Sequence, residues 1–201
     1  SKEHGVSPRK IHTIPLIRDE SERLGGYEGR NDIAFIGGYR HPPNVDAVNW
    51  LIEEIWPVVS KQIPDAKLRI CGSHMPKEFY SFASDTVIID GFIPDLEQYL
   101  STIKLTIAPL TYGAGLKGKV ASSIGAGVPC VGTNIAFEGM ADKGLKDIKF
   151  EGKTPKDFAK LCAELYSDKE KWEKASLSGV SYHNDNYAYQ NVAALFEKLL
   201  K

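Results

Sequence analysis

From Asp32 onward, short continuous apolar runs alternate with longer segments whose apolar residues return at helical spacing, and this alternation constrains the fold more than any other feature of the chain. Residues 33–36, 67–71, 87–89, 105–108 and 129–131 are too short to be buried helices. They are closed by Gly, Pro or polar residues and read as strands of a parallel sheet covered on both faces. Between the first two, Val48, Leu51, Ile52, Ile55 and Val59 share one helical face. Asn44, after Pro42-Pro43, is placed to cap that helix, and Pro57 to kink it. Residues 94–103 and 117–125 read as shorter helices. Thr154-Pro155-Lys156-Asp157 and Ser167-Asp168-Lys169-Glu170 carry the capping pattern of two more, and Val192, Leu195, Phe196 and Leu199 mark the last. Parallel neighbours need crossovers, and helices are the usual ones. The fold class is therefore α/β: a Rossmann-like, doubly wound parallel sheet with helices on both faces.

Composition narrows the classes of function. With 201 residues, 42% hydrophobic and 25% charged, the chain can bury one substantial core. The 25 basic and 26 acidic residues leave a formal net charge of −1, so no global field recruits nucleic acid or an anionic membrane, and any anion site must be local. Cys71, Cys130 and Cys162 form no Cys-x-x-Cys pair, and no His/Cys group has zinc-ligand spacing. A reduced, cytoplasmic setting without a structural metal is the expectation. No apolar run is long enough to span a bilayer, and no signal-peptide layout opens the chain. Residues 1–30 are polar, with Gly25-Gly26 near their end, and read as a leader or interdomain segment in which 11–17 is a candidate strand. The first residue is Ser1 and the only methionines are Met75 and Met140, which suggests a processed chain or part of a longer one.

Ligands of doubly wound sheets sit outside the carboxyl ends of the strands, so the turns that matter are Gly37-Gly38-Tyr39, Gly72-Ser73, Gly91-Phe92-Ile93-Pro94 and residues 110–118. The last is the most informative. In Pro109-Leu110-Thr111-Tyr112-Gly113-Ala114-Gly115-Leu116-Lys117-Gly118-Lys119, three glycines permit close backbone approach, a helix N-terminus offers free N–H groups, and two lysines add charge. A phosphate or diphosphate needs these features, although a tight turn with two solvated lysines has the same sequence. Gly113, Gly115 and Gly118 also match the dinucleotide spacing, with Glu138 near the distance of a ribose partner. Gly113 to Lys119 match a P-loop except that Val120 replaces the magnesium-binding hydroxyl.

Taken in order, four stretches resemble the donor-binding, C-terminal half of GT-B glycosyltransferases, in the large retaining group called family 4. They are Phe35-Ile36-Gly37-Gly38-Tyr39-Arg40-His41-Pro42-Pro43-Asn44, Leu68-Arg69-Ile70-Cys71-Gly72-Ser73, Gly91-Phe92-Ile93-Pro94-Asp95-Leu96, and the run from Ala108 through Gly113 and Lys119 to Gly127-Val128-Pro129-Cys130-Val131-Gly132-Thr133. The resemblance covers about residues 10–200. It implies a Rossmann-like nucleotide-sugar-binding domain over residues 31–201 whose N-terminal, acceptor-binding partner domain is absent from this chain. It further implies an NDP-sugar as donor substrate with no separate cofactor, a glycan, lipid or protein acceptor, retention of configuration, and any peripheral membrane association residing in the missing domain. By itself such a domain is expected to bind donor weakly and to catalyse little.

Position by position, Gly37 and Gly38 would face the donor diphosphate, Ile93 and Pro94 the base, and Gly113 and Gly115 the phosphates and sugar. Lys117 or Lys119 would neutralise the departing diphosphate, where a fixed cation is worth most because charge develops there. The family commonly carries two glutamates eight positions apart, and here those positions hold Ala114 and Ser122. Ser122 remains able to bond a ribose hydroxyl, more weakly than a carboxylate. Either donor contacts have changed or catalysis has been lost. His41 is within reach of the donor or braces its loop, Glu138 contacts the donor or caps the following turn, and Tyr112 packs on a base or at the edge of the core. Trp50, Trp56 and Trp172 read as packing residues, and Arg69 as lying at an exposed strand end. The absence of any Asp-x-Asp argues against a metal-bridged diphosphate. Two readings from other classes stand beside the enzyme: a non-catalytic carbohydrate- or nucleotide-binding module, favoured by the missing glutamates, and an NAD-dependent oxidoreductase using Gly113 to Gly118 with Glu138.

Overall fold

The structure, a computed structural model, describes residues 14–200. Six parallel strands, β1 Ile33–Gly38, β2 Leu68–Ser73, β3 Val87–Gly91, β4 Leu105–Ala108, β5 Cys130–Gly132 and β6 Phe150–Glu151, form one sheet in the order β3-β2-β1-β4-β5-β6. The order reverses between β1 and β4, which opens a crevice at their carboxyl ends. The doubly wound expectation is met, and alternate residues of β1 show why. Ile33 and Phe35 pack with Val48, Leu51 and Ile55 on one face, while Ala34 packs with Leu100, Ile103 and Val128 on the other. Each of the five apolar runs falls on a strand. β6 has no apolar run to announce it, because it is a two-residue edge strand held by pairing with Val131 and Gly132.

The helices are α1 Pro42–Trp50, α2 Trp56–Gln62, α3 Leu96–Thr102, α4 Gly118–Gly125, α5 Pro155–Ser167, α6 Lys169–Tyr187 and α7 Tyr189–Leu199. The first two are continuous through a π-helical stretch, Leu51–Ile55, where the Trp56 N–H reaches back to the Leu51 carbonyl. Pro57 has no N–H to donate, and a wider turn just ahead of it absorbs the missing bond, so the expected kink appears as a π-bulge. The cap of α1 is His41, not Asn44, which lies inside the first turn and bonds elsewhere. At α5 the capping box is complete: the Thr154 hydroxyl accepts from the Asp157 N–H and the Asp157 carboxylate from the Thr154 N–H.

Residues 14–17 form no strand, and residues 11–13 of that expectation lie outside the described residues. Pairing is confined to Arg18, whose N–H donates to the Tyr187 carbonyl at 2.8 Å and whose carbonyl accepts from the Tyr189 N–H at 3.0 Å. Residues 23–30 are fastened to the domain. Arg30, 2% exposed, donates to the carbonyls of Leu24, Gly26 (2.9 Å), Leu100 (2.6 Å) and Ile103 (2.9 Å), and burial lowers its pKa to about 10. Arg23 pairs with Glu173, and both guanidinium groups lie over the fully buried Trp172 ring. Trp172 donates to the Lys104 carbonyl at 2.7 Å, Trp56 to Thr86 Oγ1 at 3.1 Å, and Trp50 packs edge-on against Phe158, so the three tryptophans are packing residues. Arg69 departs from the sequence reading. Its guanidinium is half-buried between Asp32 (2.5 Å) and Asp90 (2.9 Å), with the Tyr99 hydroxyl donating to Asp90 at 2.8 Å.

Candidate functional site

The crevice between β1 and β4 is walled by two turns. On one side β1 ends at Gly37 and Gly38, and the chain passes through exposed Arg40 and His41 into α1. On the other, β4 leads through Leu110 and the glycine loop into α4, whose cap position Lys117 supplies no side-chain bond to the first N–H groups. Gly113 (φ +126°) and Gly115 (φ +74°) hold backbone conformations that residues with a Cβ avoid, which bends the loop back toward α1. Pro43 lies 3.8 Å from where a Cβ on Gly113 would sit. Ala114 is exposed on the loop's outer turn.

The two lysines that look alike in sequence differ here. Lys117, its side chain 11% exposed, donates to the Gly115 carbonyl at 2.6 Å and lies 3.4 Å from Glu138 Oε2, so it braces the loop with its charge already met. Lys119 projects into the floor of the crevice. Its Nζ lies 4.3 Å from the Phe35 ring centroid and donates to Asn44 Oδ1. No carboxylate pairs with it among the described residues. Burial lowers its pKa to about 8. A partly desolvated cation in the first turn of a helix, with no carboxylate beside it, has the charge and placement to attract an anion.

The other candidates are placed as follows. Tyr112, 45% exposed, is not at the core edge. Its hydroxyl donates to Asp46 Oδ2 at 2.5 Å across the crevice mouth. Gly72 pairs with Gly37 in register, and a Cβ there would stand 1.6 Å from the Gly37 carbonyl oxygen, so its identity is fixed by strand approach. Ile93, half-buried, and Pro94, exposed, follow β3 at the same end of the sheet. No hydrogen bond among the described residues joins them to the glycine loop. Ser122 faces the leader: its Oγ accepts from Arg18 Nη1 at 3.1 Å, at the wall of a cavity of about 710 Å³ that Glu97 and His183 also line.

Asn44, Asp46, Phe35 and Arg18 complete this constellation and were not anticipated as site residues. Asn44 after two prolines has the signature of a cap, and Phe35 that of a core residue. Nothing in the polar leader singles out Arg18. Among the described residues no group of three or more His, Cys, Asp or Glu side chains is arranged to hold a metal, and no helix is long and apolar enough to cross a membrane.

Comparison with known proteins bears on the fold and the family. No curated protein matches in sequence. In structure, TarM of S. aureus superposes with a TM-score of 0.78 at 16% identity, over 98% of this chain and 40% of its own. WaaG, a glycosyltransferase involved in lipopolysaccharide biosynthesis, gives 0.69 at 16%, over 98% of this chain and 57% of its own. The C-terminal domain of the group 1 glycosyl transferase LpcC from Francisella tularensis gives 0.59 at 15%, over 80% and 87%. At these identities the likeness is one of fold. This chain spans less than half the length of TarM. The profile of the family described as glycosyl transferases group 1 matches residues 30–168, more than half of the 201, from the start of β1 to the end of α5. The chain belongs to the glycosyl transferases group 1 family and has the Rossmann-like architecture of one half of a GT-B fold.

Proposed function

We propose that this chain is the nucleotide-sugar-binding domain of a glycosyltransferase that moves a sugar from an NDP-sugar to a glycan, lipid or protein acceptor with retention of configuration. The observation that carries the reading is Lys119, a partly buried cation with no carboxylate partner among the described residues, at the sheet's switch point beside the glycine loop. As the bond from the anomeric carbon to the diphosphate breaks, the electron pair stays with the diphosphate oxygen, and a cation already fixed in a low-dielectric crevice stabilises that charge without reorganising. The N–H groups at Gly113, Gly115 and the start of α4 would add dipoles of the same sign. In this reading the lysine meets the leaving group's charge, so the transfer proceeds without a resident metal or cofactor. Family membership supports glycosyl transfer as the reaction class. Solved TarM carries UDP with alpha-GlcNAc-glycerol, and GtfA from pneumococcus carries UDP and GlcNAc, which makes UDP the first nucleotide to try.

Ala114 and the Arg18-bonded Ser122 favour a second reading, a binding module without turnover. The NAD reading is weakened by placement. Gly113 to Gly118 follow β4, not β1, and Glu138 is engaged by Lys117. Calorimetric titration with UDP, GDP, ADP and NAD decides among them. Saturable binding of one nucleoside diphosphate, lost in Lys119→Met and only weakened in Lys117→Met, is the expected result. Binding indifferent to Lys119→Met would sink the donor-site reading, and binding without any sugar transfer by the complete enzyme would favour the module.

A further inference from the structure

Asn44 has a role that neither its position in the helix nor the glycine loop explains. It stands in the first turn of α1, yet its side chain bonds no amide of that helix. Nδ2 donates to the Gly38 carbonyl at 2.8 Å, and Oδ1 accepts from Lys119 Nζ. One planar amide thus ties the turn after β1 to the first turn of α4, across the crevice. The surroundings of Lys119 show what this achieves. From β1 the Phe35 ring lies under the ammonium. From β2 and β5 the Cys71 and Cys130 thiols face it, and burial pushes them up to about 12 and about 11, so both are neutral at physiological pH. From the loop, Lys117 adds a like charge that Glu138 meets. The side chain that holds Lys119 by a hydrogen bond is therefore a neutral one.

A carboxylate at position 44 would hold Lys119 equally well but cancel its charge. An alanine would preserve the charge but leave the ammonium in place without the bond that fixes it between the two turns. The amide alone does both jobs: it fixes the cation and leaves its charge uncompensated. We propose that Asn44 is the positioning residue for Lys119, a neutral strut that sets the ammonium between the two turns and keeps its charge available to a phosphate group of the ligand. The identity of that ligand rests on the donor-site reading above, whereas the coupling of Asn44 to Lys119 does not.

The test uses Asn44→Ala and the isosteric Asn44→Asp, with two readouts: the pH titration of the Lys119 side chain by NMR in the ligand-free protein, and UDP affinity by calorimetry. In Asn44→Ala the Lys119 titration moves to lower pH, because a bond favouring the charged form is gone. In Asn44→Asp it moves up by about one unit or more, because an anion now faces the ammonium. Affinity for UDP falls in both, by about tenfold or more, the loss expected for a hydrogen bond to a charged group. Opposite shifts in titration with the same loss of affinity is a pattern that mere loosening of the fold does not produce. Asn44→Asp keeps the shape of the side chain and so serves if the alanine variant is unstable. The proposal is overturned if neither variant moves the Lys119 titration, or if Asn44→Asp binds UDP as tightly as the parent. If Lys119 responds as described while the parent binds none of UDP, GDP or ADP, the donor-site reading fails and the strut stands.

Discussion

Gly72→Ala should destabilise the domain severely, although Gly72 sits in one of the turns that look like ligand contacts in sequence. Two effects add. The backbone at φ +138° is a conformation essentially reserved for glycine, with a cost of about 1–3 kcal/mol for another residue. The added Cβ would also stand 1.6 Å from the Gly37 carbonyl oxygen and 2.6 Å from its carbon. No flexible side chain can yield there, because the obstacle is the backbone of the central strand. The carboxyl ends of β1 and β2 must separate, and overpacking of this kind costs about 1–3 kcal/mol more. The sum of about 2–6 kcal/mol compares with total stabilities of about 5–15 kcal/mol. At roughly 2–4 °C per kcal/mol for a chain of this size, a thermal melt followed by circular dichroism should fall by about 4 °C at the least and by about 24 °C at the upper end. Gly38→Ala is the control: its Cβ would meet Ser73 Oγ at 3.5 Å, an ordinary contact, and its backbone needs no positive φ. A Gly72→Ala protein that melts with the parent, or a Gly38→Ala protein that falls as far, would refute the reasoning.

Three further outcomes follow from the same geometry. Nucleoside diphosphate affinity should decline as pH rises through about 8, where Lys119 loses its proton; an affinity that stays flat across that range in a calorimetric pH series of the parent would contradict the role of the ammonium. Stability should respond with the opposite sign. The folded pKa of Lys119 lies below the ordinary lysine value of 10.5, so between about 8 and 10.5 the unfolded chain binds the extra proton, and the contribution of Lys119 to stability becomes more favourable as pH rises. Urea titrations of parent and Lys119→Met across that window check it. Arg30→Ala should lower stability by about 3 kcal/mol in urea unfolding, since the buried Leu100 and Ile103 carbonyls lose their guanidinium donor; an effect under about 1 kcal/mol would contradict the leader's anchoring. Thr154→Ala should cost about 1 kcal/mol through loss of the capping box at α5, read by the same assay.

The sequence by itself determined the layer architecture and where to look for a candidate site. Strand runs and helical faces are local patterns, each readable within about a dozen residues, and a chain alternating between them has few ways to bury both faces of its sheet. The run from Pro109 to Lys119 was legible for the same reason, since the need for glycine at Gly113 and Gly115 and the charge of two lysines are properties of a contiguous segment. Only the tertiary structure decided what those residues do. Lys117 and Lys119 are two positions apart and chemically identical, yet one meets Glu138, 21 residues on, and the other meets Asn44, 75 residues back. Ser122 is occupied by Arg18 from 104 residues earlier, Tyr112 by Asp46 from 66. Arg69 looked like the end of a strand until β1 and β3 closed on either side and brought Asp32 and Asp90 to it. Whether a charge is paired, and hence whether it can serve a ligand, depends on which distant segment folding brings within about 3 Å of it, and no local pattern in a sequence records that distance.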